Sequence, residues 1–132
     1  MIDRHFFVGL ITVLVMIVLI FSCHAHDAEH GEFNEWYQEL MQPDNPTMSC
    51  CGKADSYFAD EMHFHDGKAY AVISDNRDDT ASGRPHIPNG TEIEIPNNKL
   101  KWDRSNPTGH GVLFVTRPPY FHVYCYVQPG GV

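Results

Sequence analysis

Histidine and cysteine are the residue types through which this chain could do chemistry. Nine histidines stand among its 132 residues. His24, His26 and His30 crowd one stretch, His63 and His65 alternate in another, and His110 and His122 come late. Neutral imidazoles suit late first-row metal ions. An N-terminal histidine grips copper through its α-amine and ring together, and a second imidazole completes the square arrangement that Cu(II) favours. If processing leaves His26 as the first residue, it is that grip. His30, His63, His65, His110 or His122 then supplies the second ligand, and copper or zinc is the cofactor. The plainer expectation is a solubilising start to the mature chain, exposed histidines at a hairpin, and no cofactor.

The four cysteines are Cys23, Cys50, Cys51 and Cys125. With Cys23 set aside for the leader, three thiols cannot all pair, so one bridge and one leftover thiol are expected. A bond between the adjacent Cys50 and Cys51 needs a strained eight-membered ring. The expected bridge therefore joins Cys125 to Cys50 or Cys51, and which of the two is open. Closing a loop of about 75 residues is worth on the order of 4 kcal/mol, a third or more of the stability of a small domain. A leftover thiol beside a disulfide can exchange with it, as redox-active sites do. Against this, the spacing is CC, and only Lys53 is near to lower a thiol pKa, so a structural staple is favoured. A Cys–His nucleophile pair using His110 or His122 lacks an identifiable orienting group.

A third set is aromatic. Tyr120, His122, Tyr124 and Tyr126 alternate along one stretch and, with Trp102, form a face on which a ligand could stack. Packing beneath the N-terminal helix is the more ordinary use of such a face. Nothing in these three sets amounts to a catalytic signature, so no catalytic residue is assigned and an enzyme is not the favoured reading.

The elements that position these groups begin after a leader. Residues 6–21 (FFVGLITVLVMIVLIF) carry no charge, too short by a few residues for the roughly 20 of a spanning helix and suited to the apolar part of an export signal. Asp3, Arg4 and the α-amino group precede it, and the acidic Asp27, Glu29 and Glu32 follow. Cys23 and Ala25 place small residues for cleavage between Ala25 and His26. Alternatively, Ile20-Phe21-Ser22-Cys23 resembles a lipoprotein signal with Cys23 lipidated, or the segment stays as an anchor. Residues 1–25 are thus signal or anchor, and residues 26–132 form one domain that is periplasmic or secreted, touching membrane only through that segment or a lipid on Cys23.

Within the domain, Phe33, Trp36, Tyr37 and Leu40 recur at helical spacing and predict an amphipathic helix over residues 31–42, ended by Pro43 and Pro46. The run PDNPTMSCCG reads as a turn-rich connection. Asp66-Gly67 predicts a hairpin between residues 61–65 and 68–73, with Met62 and Phe64 on one face and Glu61, His63 and His65 on the other. Residues 75–90 read as an exposed loop. Residues 91–95 alternate, with Ile93 and Ile95 inward. Lys99 to Trp102, Val112 to Val115 and Tyr120 to Val127 complete the strands. In the last, Phe121, Val123, Cys125 and Val127 share the core side. Asn106-Pro107 and the glycines of NPTGHG make a turn. The expected fold is mainly β, a small barrel or sandwich of about five strands with one N-terminal amphipathic helix.

The strings SCCGKADSY (49–57), IPNGTEIEIPNNKLKWDRSNPTGHG (87–111) and VYCYVQPGGV (123–132) resemble a family of small exported proteobacterial proteins. Its members share a leader, an early Trp-bearing helix, a Cys-Cys pair and a late Cys. The resemblance implies export and a common fold, and supplies no activity and no site residue. A net charge of −8, with no Lys/Arg stripe, repels phosphate backbones, so nucleic acid is not an expected partner. The expectation is a non-enzymatic binding or structural domain of the cell envelope, acting on an envelope partner or small ligand.

Overall fold

The computed structural model describes residues 31–130. Nine strands in three antiparallel or mixed sheets dominate these residues, so the chain is mainly β, as expected. The sheets are open and do not close into a barrel. The leader, its cleavage or lipidation at Cys23, and the candidate ligands His26 and His30 lie outside the described residues. Among the described residues, no helix is long and apolar enough to cross a membrane.

The predicted helix is present but shorter. A 3-10 turn over Gly31–Phe33 leads into α1, Asn34–Glu39. Its apolar positions do what their spacing requires. Tyr37 and Leu40 are buried, with Phe33 and Trp36 packed at the margin of the same cluster. The last turn does not form. Instead Met41–Gln42 becomes β1 and pairs with β2, Asn45–Ser49, where a turn-rich connection was expected. Side chains finish that pairing: Gln42 Nε2 donates to the Ser49 carbonyl at 3.1 Å, and Lys99 reaches both Gln42 and Asp44.

The central sheet runs β3-β8-β9-β7 (β3 Asp55–Phe58, β7 Leu100–Lys101, β8 Val112–Val115, β9 Val123–Val127). Both its faces are covered, which is why β3 and β8 are buried at every position. One face meets the second sheet, of order β4-β5-β6 (β4 Glu61–His65, β5 Lys68–Val72, β6 Glu92–Ile95), through Ala69, Ala71, Ile93, Ile95, Leu113 and Tyr126. The other face meets α1 through Tyr37, Phe114, Cys125 and Val127. The Tyr37 and Phe114 rings meet edge to face at 5.8 Å, the geometry that aromatic quadrupoles favour.

Cys50, just after β2, is bonded to Cys125 on β9, which resolves the choice between the vicinal pair. The expected leftover thiol is a correction. Cys51 is disulfide-bonded as well, and no cysteine among the described residues is free. Both vicinal sulfurs sit in the cluster beneath α1, at most 1 % exposed.

Residues 75–90 are a second correction. They hold a short helix, α2 (Asp79–Ser82), capped by the Asp78 carboxylate and closed by Gly83 in the left-handed region. Asp75, Arg84 and Ile87 are buried. Polarity misled the expectation, because this segment's charges satisfy one another inside. The Asp75 carboxylate accepts from the Phe58 amide, from Arg77 and from Arg84, the last at 2.8 Å.

Candidate functional site

The outward face of the β4-β5-β6 sheet gathers the residues with ligand chemistry. Asp66 and Gly67, with φ of 50° and 73°, make the tight turn that the Asp-Gly dipeptide predicts, and this sets the register of β4 on β5. His63 then lies opposite Tyr70, and His65 opposite Lys68. The β5-β6 pairing continues the rows, with Tyr70 opposite Glu94 and Val72 opposite Glu92. The complementary row, Met62, Ala71 and Ile93, faces the core. Phe64 shares that side at the hairpin end, and overhangs the core at 63 % exposure.

On this face His63 Nε2 stands 3.2 Å from Glu92 Oε1, and both side chains are roughly half exposed. One ligand atom from each of His63, His65 and Glu92 lies within 4.8 Å of the other two. The His65 and Tyr70 rings stack in parallel, 4.1 Å between centroids and 4° between planes. His65 Nδ1 is 3.6 Å from the Asp66 carboxylate. The neighbouring Glu94 is engaged by Lys68 Nζ at 3.0 Å, and this contact raises the lysine pKa above its ordinary value.

The remaining sequence candidates are dispersed. His110 lies at the mouth of the NPTGHG turn, stacked on Phe58 at 4.2 Å, with Nδ1 at 3.0 Å from Asp60. The turn is built by the buried Asn106. Its amide donates to the His110 and Gln128 carbonyls, and its oxygen accepts from Thr108. Gly111 follows because a Cβ there would lie 2.1 Å from the Ala59 carbonyl oxygen.

The aromatic row does not form one face. Trp102 and Tyr120 are exposed at 79 % and 87 %. His122 precedes β9 and meets Tyr124 edge-on at 5.2 Å, while Tyr124 packs at the margin of the α1 cluster. Tyr126 is fully buried on the opposite side, donating to the Ala59 carbonyl at 2.7 Å. Burial, reinforced by Asp60, pushes its hydroxyl up to about 12. The last strand also starts later than expected, at Val123, leaving Phe121 partly exposed outside it.

No family model, curated protein or solved structure matches the chain. Its chemistry has to be read from the groups it presents. The sequence had marked His63 and His65, but not Glu92 or Tyr70. The outward position of Glu92 was legible from the alternation of residues 91–95. Its neighbours were not, because β5 and β6 are joined through a long segment that sets no register by itself. A further residue missed was Asp75, a buried carboxylate between two arginines. Burial by itself would raise its pKa, but the hydrogen bonds from Arg77 and Arg84 prevail and hold it well below the usual carboxylate range. Its side chain is 2 % exposed and those of Arg77 and Arg84 are 7 % and 4 %, so this is a structural ion cluster facing inward.

Proposed function

We propose that this protein is an extracytoplasmic, non-enzymatic binding domain, held rigid by disulfides, whose working surface is the outward face of the β4-β5-β6 sheet. The oxidation state of the vicinal cysteines carries the reading. Cys50 and Cys51 are both bonded and both buried, a state that an oxidising compartment sustains and the cytosol does not. The apolar leader of residues 6–21 supports the same compartment, periplasmic or outside the cell, as does the likeness to exported proteobacterial proteins. The structural staple is thereby favoured over thiol exchange, since exchange needs a thiolate to attack.

Binding is favoured over catalysis by what the open sheet face offers. Two imidazoles, a carboxylate and a phenol ring stand together on a solvent-facing sheet, where their nitrogens and oxygens are open as donors and acceptors to a ligand.

The test is made in the producing cell. Cells are quenched with a membrane-permeant alkylating mass tag and then fractionated. The protein is expected in the envelope or medium, unlabelled until a reductant is added. A cytosolic pool with all thiols tagged would overturn the reading.

A further inference from the structure

We propose that His63, His65 and Glu92 hold a divalent cation of the late first-row class, copper(II) or zinc(II), on the outward face of the β4-β5-β6 sheet. This rests on the preceding reading only in taking that face as the working surface, and it does not depend on export.

Distance is the first argument. Three atoms within 4.8 Å of one another have a common centre no more than about 2.8 Å from each. Zinc lies about 2.0–2.1 Å from imidazole nitrogen and about 2.0–2.2 Å from carboxylate oxygen. Each side chain therefore has to close by less than about 1 Å, within reach of small side-chain rotations, and no strand has to move. His63 and Glu92 have already covered most of that distance, at 3.2 Å from each other.

The donor set is the second. Two nitrogens and one oxygen are a poor set for Ca²⁺ or Mg²⁺, which take oxygen ligands, and a good one for zinc and copper, with copper the tighter by the general order of divalent affinities. Elsewhere among the described residues the histidines meet carboxylates in pairs: His110 with Asp60, and His86 with Asp79. Among the described residues only the sheet face brings a third donor within range.

The surroundings are the third. Tyr70 stacked against His65 holds that imidazole plane, and the Asp66 carboxylate, 3.6 Å from its Nδ1, adds negative charge beside the site. Lys68 occupies Glu94, which leaves Glu92 as the carboxylate open to the ion. A net charge of −8 draws cations towards the molecule. Three protein donors on an exposed face leave at least one coordination position to water or to an outside ligand. A closed structural zinc site would use four. The site is thus built for exchange of its ion.

The full-length protein, with disulfides intact and stripped by a chelator, is titrated with Cu(II) and Zn(II) against a competing chelator, with Ca(II) and Mg(II) as controls. One equivalent of Cu(II) or Zn(II) is expected, with nitrogen hyperfine structure in the paramagnetic spectrum of the copper form. His63→Ala and His65→Ala are each expected to weaken binding by about tenfold or more, and Glu92→Gln to weaken it less. All three side chains are solvent-exposed, and near-ultraviolet dichroism should show each variant folded.

Binding no tighter than that of free histidine, or binding unchanged in the His63→Ala/His65→Ala double variant, would overturn the proposal. So would binding lost instead on His26→Ala. A failed titration leaves the disulfide and compartment reading standing, whereas a cytosolic, reduced protein removes that reading and leaves the titration untouched.

Discussion

Asp75 is the residue on which most of the buried charge depends. It faces Arg77 and Arg84 with side chains at most 7 % exposed, and it also accepts the Phe58 amide. Removing one member of such a cluster strands the others, and losses of about 3–5 kcal/mol are typical. Asp75→Asn is expected to fall in this range by urea unfolding of the oxidised protein. The cluster also sets an acid limit. Because the folded pKa is depressed, the carboxylate contributes stability above its unfolded value, about 3.9. That contribution is lost as pH falls through the lower folded value. Unfolding midpoints should therefore drop steeply below about pH 4 in the parent and more shallowly in Asp75→Asn. Equal slopes would mean that the arginines do not hold this group ionised.

At the scale of the element, the β4-β5 hairpin places the candidate ligands. Gly67 has φ of 73° and open space around its Cα, so the cost of a side chain there is conformational and not steric. Gly67→Ala is expected to lose about 1–2 kcal/mol, read as a lower denaturant midpoint, and no loss would mean that the turn relaxes freely. The hairpin was legible because a two-residue Asp-Gly turn and the period-2 alternation agree. Strand β9 was legible only in part. Its pairing with β8 slips between Phe114 and Val115, so that Phe114 meets Cys125 but Val115 meets Val123. The extra residue, Tyr124, is a bulge. Beyond it the faces exchange: Cys125 and Val127 point towards α1, whereas Val123 and Tyr126 point towards the other sheet. An alternation carried straight through the strand keeps Tyr126 opposite Cys125 and Val127, as found, but wrongly groups Val123 with Cys125 and Tyr124 with Tyr126. Helix α1 lost its last turn for a comparable reason, since Cys50 N donates to the Leu40 carbonyl at 2.8 Å and draws the chain into β1.

Across the whole molecule, the Cys50–Cys125 bond ties the segment before the central sheet to its strand β9, 75 residues on. Loop-closure entropy values this at on the order of 4 kcal/mol. A Cys50→Ala/Cys125→Ala variant, which leaves no unpaired thiol of that bridge to reshuffle, should lose about that much in equilibrium unfolding. A loss below about 1 kcal/mol would mean that the packing of Tyr37, Phe114 and Val127 holds the layer without it. From the sequence alone came the local quantities: the β class, the early amphipathic helix, the hairpin, the outward row of His63 and His65, and the need for a bridge to Cys125. These depend on residue type and on periods of a few residues. Only the tertiary structure decided which vicinal cysteine reaches Cys125, that the polar segment 75–90 turns its charges inward, and that Glu92 comes within 3.2 Å of His63. Each of those is a meeting of distant segments, fixed by the register of strands and the stacking of layers, and neither is encoded in any short window of the chain.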